Sequence, residues 1–146
     1  MNRILTAVLF SAAAYATCAQ DPWKISVTDI EPTEYYGVTV ANGQMGLLSS
    51  PEPLHTSRAI LGGLYDIYGR GRVSNFVHAV KMLDVELKID GTRLKRDNIT
   101  DYTQTLDMAQ AMFTGSFDYG EVAHVDYEYM ALRHLPFNCM MTVTLL

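Results

Sequence analysis

Two pairs of acidic residues are spaced as a sugar-cleaving pair would be. Asp84 with Glu86, and Asp126 with Glu128, each lie two positions apart in alternating runs. On extended backbone that spacing puts both carboxyls on one face, about 6.6–6.8 Å apart along the strand. Glycoside cleavage needs a carboxylic acid at the leaving oxygen and a second carboxylate as nucleophile or base, roughly 5–9.5 Å apart. The spacing is compatible. Acids opposite an apolar face are also the ordinary wet side of a sheet, and that is the better reading.

Other reactive types are less organised. His55, His78, His124 and His134 are scattered without metal-ligand spacing, and there is no His-Glu-x-x-His, paired-Cys or EF-hand pattern. Ser49, Ser50, Ser57 and Ser74 stand outside any Gly-x-Ser-x-Gly elbow. Gly69-Arg70-Gly71-Arg72 could clasp an anion but lacks the lysine and helix of a phosphate loop, and reads better as a solvated loop. Nothing here asks for a metal or cofactor. Aromatic rings are the more promising set, because sugar rings have apolar faces that stack on phenol and indole. Trp23, Tyr35, Tyr36, Tyr65, Tyr68, Tyr119, Tyr127 and Tyr129 are available, most of them as core or sheet-edge residues. Asn98-Ile99-Thr100 is an N-glycosylation acceptor pattern.

The elements that must position these side chains read as strands. Tyr35–Val40 is aromatic and β-branched, Asn42-Gly43 follows, and Met45–Ser49 returns. Asn-Gly between apolar runs predicts a hairpin, with both residues tolerating positive φ in a type I′ turn. Pro51 and Pro53 then break the ladder. Ala59–Tyr65 is a further apolar run in which Gly62-Gly63 suggests a bulge. Leu83–Asp90 alternates cleanly and predicts a half-buried strand, with Asp90-Gly91 turning the chain. Strands follow at Gln104–Met108 and Met112–Phe117, Asp118-Tyr119-Gly120 turns, and Ala123–Tyr129 alternates again. Met140–Leu146 is the last strand. Many short strands at this spacing favour an antiparallel sandwich over a β/α fold.

Composition narrows the partners. The 146 residues carry 11 Lys and Arg against 16 Asp and Glu, a net charge of −5. That balance argues against nucleic acid, whose phosphates need clustered cations. Met1-Asn2-Arg3 followed by apolar Ile4–Ala16 resembles a secretory leader and is too short to span a bilayer. Cleavage after Ala16 or Ala19 fits the small-residue rule, giving a leader over 1–19 and a single domain over 21–146. Secretion or periplasmic export is therefore expected, with lipidation at Cys18 the less favoured alternative. Cys139 is then left without an intramolecular partner, so the domain must be held by its core. Cys139–Leu146 ends on an apolar strand, which predicts that the chain continues beyond it.

Asn42-Gly43-Gln44-Met45-Gly46 resembles the Asn-Gly-x-x-Gly motif near the start of glycoside hydrolase family 65. Asp21-Pro22-Trp23 and Tyr35-Tyr36-Gly37 precede it. Leu61–Asp66, Leu83–Gly91, Leu106-Asp107-Met108 and Ala131–His134 resemble later family segments in the same order. Leu47-Leu48-Ser49 stands where the best-known phosphorylases often carry an arginine. The resemblance implies an all-β, antiparallel β-sandwich, part of a galactose-mutarotase-like supersandwich, joined by a helical linker to an (α/α)6 barrel. The general-acid glutamate would lie in that barrel, beyond position 146, so no catalytic residue is carried onto this chain. Asn42, Gly43 and Gly46 match the motif and are expected to shape a turn. The resemblance also implies α-linked glucosides as substrates of the parent enzyme, acting through the missing barrel, and homodimer contacts made by the sandwich. Export favours hydrolysis over phosphorolysis, since a sugar phosphate is useful where the cell can retain it. A free-standing carbohydrate-binding module and a dimerisation domain are the rival readings.

Overall fold

Alternating side chains over residues 100–131 build the middle of the molecule. In the computed structural model, which describes residues 21–66 and 75–146, β8 (Thr100–Asp107), β9 (Met112–Tyr119) and β10 (Ala123–Ala131) form successive antiparallel hairpins. They are flanked by β1 (Lys24–Val27) and β11 (Cys139–Leu145), giving a five-stranded sheet ordered β1-β8-β9-β10-β11. A second antiparallel sheet holds β2 (Thr39–Ala41), β3 (Met45–Ser49), β4 (Thr56–Asp66) and β5 (Asn75–Ala79) in chain order. The ribbon β6 (Lys88–Ile89) with β7 (Thr92–Arg93) stands apart. Every strand pair is antiparallel, and no α-helix occurs among the described residues.

The two larger sheets share one core. On β8, β9 and β10 every second residue points inward, and Tyr102, Phe113, Phe117, Val125, Tyr127 and Tyr129 are buried there. They meet Val40, Met45, Leu47 and Ala59 of the second sheet. Phe113 stacks on Tyr129 with ring centroids 4.7 Å apart. Gly115 lies beneath the Tyr127 ring, where a Cβ would come within 2.3 Å of ring carbon. A polar seam crosses the core at Gln104. Its Nε2 donates to the Tyr102 hydroxyl (2.7 Å) and to Ser50 O (2.8 Å), while the Tyr35 hydroxyl donates to its Oε1 (2.6 Å). Every polar atom of the buried Gln104 amide is therefore engaged, as buried amides require.

Three local expectations are corrected. Leu83–Asp90 is not a full strand, because only Lys88–Ile89 enters a ladder. Asp84 Oδ1 accepts the Thr56 amide (3.1 Å) and the Val85 amide donates to Leu54 O (3.0 Å), so the segment is tied to the start of β4. In Tyr35–Val40 only Thr39 and Val40 join β2, because Tyr35 is turned into the polar seam. The hairpin at residues 42–45 forms, but with positive φ at Gly43 alone (87°). Asn42 pairs with Met45 and leaves Gly43-Gln44 as the central residues, the pattern of a II′ turn, not I′. The expected irregularity at Gly62-Gly63 is present as a register shift between Ile60 and Tyr65.

Candidate functional site

Asn42 is a clamp. Its Oδ1 accepts the Gln44 and Met45 amides (2.9 Å each), and its Nδ2 reaches Leu132 O (2.7 Å) beyond β10. Gly46 pairs with Ala41 across the hairpin. Gly62 donates to Gln44 O (2.6 Å), and a Cβ there would stand 3.0 Å from Gly43 O. The hairpin thus joins both sheets through side-chain and main-chain hydrogen bonds.

The acid pairs take different surroundings. Asp84 is committed to Thr56 and lies 3.6 Å from Lys81 Nζ, whereas Glu86 lies 2.9 Å from Arg93. They do not face a common site. Asp126 and Glu128 do share one, on the outer face of the five-stranded sheet. The register aligns Thr114, Glu128 and Thr142 in one row and Ser116, Asp126 and Thr144 in the next. With Thr103 and Thr105 these residues line a hollow of about 370 Å³. Small hydroxyl side chains in mid-sheet leave this space, and such a surface can exchange hydrogen bonds with polyhydroxylated molecules.

His124 sits at the end of that face. Its Nδ1 bonds to Asp118 Oδ1, and its Nε2 lies 3.4 Å from Asp126 Oδ1. The Asp118 hydrogen bond and the two nearby carboxylates raise its pKa above the ordinary imidazole value. His55 Nδ1 is bonded to Pro53 O (2.7 Å), and His134 is exposed on the segment before β11. Asn98 Nδ2 donates to Arg93 O (2.9 Å). Burial raises the Cys139 thiol. The leader, Cys18, Tyr68 and Gly69–Arg72 fall outside the described residues.

The aromatic residues divide by burial. Tyr127 and Tyr129 are core, and Tyr35 is half-buried; Trp23, Tyr65 and above all Tyr36, at 93% exposure, face solvent. Tyr36 borders a hollow of about 440 Å³ lined also by Pro32, Gly37, Leu48, Pro51 and Arg58. Sequence reading singled out Tyr36 but missed Arg58, which comes beside it only through the Leu48–Arg58 register of β3 and β4.

No family model matches the chain. Two curated proteins do. A kojibiose hydrolase from Mucilaginibacter mallensis is 44% identical over 145 residues, which is 99% of this chain and 21% of the relative. A kojibiose hydrolase from Flavobacterium johnsoniae is 48% identical over 127 residues, 87% of this chain and 19% of the relative. Over nearly all of its own length the chain is similar to these kojibiose hydrolases, the likeness that the family 65 resemblance predicts. The chain spans about a fifth of the length of the relatives it matches. Among its described residues, no cluster of three or more His, Cys, Asp or Glu could hold a metal, and no helix is long and apolar enough to cross a membrane.

Proposed function

We propose that this chain is the non-catalytic β-sandwich portion, part of a larger supersandwich, of an exported enzyme that hydrolyses α-linked glucosides such as kojibiose. The observation that carries the reading is its 44% and 48% identity to two kojibiose hydrolases across nearly its whole length. Its own acids agree with a supporting role. Asp84 and Glu86 are spent on separate contacts, and Asp126 and Glu128 face an open hollow with no enclosed pocket around the pair. The acid and base of cleavage belong, on this reading, to the rest of the enzyme. Export rests on the leader-like residues 1–19, and water is preferred over phosphate as acceptor because the relatives are hydrolases.

The test is a chimera in which this chain replaces the matching segment of the Mucilaginibacter mallensis enzyme. The chimera is expected to release glucose from kojibiose at a rate indifferent to added phosphate, and the chain alone is expected to release none. Turnover by the chain alone, or glucose 1-phosphate as the chimera's product, overturns the proposal.

A further inference from the structure

We propose that Tyr36 and Arg58 form a saccharide-contact platform at the end of the four-stranded sheet, taking one pyranose ring of an α-glucoside. The choice of a sugar rests on the carbohydrate reading above; the site itself rests on geometry. A phenol ring at 93% exposure leaves most of its apolar area in water, and such rings gain most from a partner with a flat apolar face. This ring hangs from backbone that is held on both sides. The Tyr35 hydroxyl shares a 2.5 Å hydrogen bond with Ser49 Oγ and donates to Gln104, while Val38 O accepts the Ser49 amide and the Val38 amide donates to Ser49 Oγ (each 2.9 Å). Gly37 completes the arrangement, since a Cβ there would stand 2.7 Å from Ser49 O and 3.2 Å from Leu48 Cδ1. The backbone that carries the ring is therefore held in place, which leaves only the side-chain rotation of Tyr36 to be ordered on binding.

Arg58 supplies the polar half. Its side chain is exposed and has no carboxylate partner among the described residues, so its five N–H donors are free for hydroxyl groups. The hollow, about 440 Å³, falls within the usual range of small-molecule sites, roughly 300–1,000 Å³. One free guanidinium on a chain of net charge −5 favours a neutral ligand over an anion.

The test is a ¹H–¹⁵N titration of the chain with kojibiose. Shifts are expected at Tyr36–Val38, Leu48 and Arg58. Tyr36→Ala should weaken binding about fivefold and Tyr36→Trp should restore it, while Arg58→Met should weaken it about tenfold. An unchanged dispersion of amide signals verifies that each variant is folded. Shifts confined to Thr114, Asp126 and Thr142, no shifts at high millimolar sugar, or a Tyr36→Ala variant that binds as well as the parent overturns the proposal. So does inorganic phosphate competing at Arg58 with higher affinity than the sugar. Because the hydrolysis test reads the chimera's turnover, the platform can fail while the enzyme-portion reading stands, and the reverse.

Discussion

Replacing Asn42 with alanine removes three hydrogen bonds at once, two within the hairpin and one to Leu132 O. The expected loss is about 1–3 kcal/mol, read as a lower urea midpoint with unchanged slope. Asn42→Asp keeps the acceptor but not the donor and should fall between. Gly115→Ala should cost about as much or more, because its new methyl would drive into the Tyr127 ring, which is held by a 2.7 Å hydroxyl contact to Tyr102. A thermal melt checks it. The Asn-Gly pair was legible in the sequence because its signal is local. Its tie to Leu132, 90 residues away, was not, and neither was Gly115, which looks like any other strand glycine until the facing tyrosine is known.

At the scale of the strand, the pairing of β9 with β10 brings Asp118 opposite His124. The folded-state pKa of His124 is raised, first by that hydrogen bond, so its stabilising contribution is fully present below the unfolded value near 6.5 and is lost as pH rises through the folded value. Both side chains are partly exposed, so the effect is small and salt-sensitive. The parent should therefore lose more thermal stability than His124→Gln between about pH 5.5 and about pH 8.5, in melts at low ionic strength. Alternation predicted β10 well because one of its faces is core and the other wet. The same alternation over Leu83–Asp90 misled, since periodicity reports which side is buried and not whether a neighbouring strand is there to pair. The Asp84 bond to the Thr56 amide, made across 28 residues, decided that outcome. β1 escaped notice for the converse reason: Ile25 and Val27 alternate over only four residues.

Across the whole molecule, the second sheet meets the first chiefly at β10, and apolar side chains at both margins of the five-stranded sheet stay exposed. Ile25 and Val27 on β1, and Val143, Leu145 and Leu146 at the other edge, are all more than a third exposed. The chain is expected to self-associate with rising concentration, and Val143→Thr with Leu145→Thr to shift sedimentation toward monomer. Unchanged sedimentation would show that these margins do not drive association. Two sheets and their antiparallel order were readable from strand spacing, but which strands lie at the margins depends on β1 crossing to β8, which no local pattern announces. That crossing has a kinetic consequence. Three hairpin-linked pairs from Thr100 onward close with short loops, whereas Ser26 must find Thr105 from 79 residues away. Loop-closure entropy makes the distant docking the slower event. In pulse-labelled refolding, amides of the C-terminal meander should gain protection first, and those of Lys24–Val27 last.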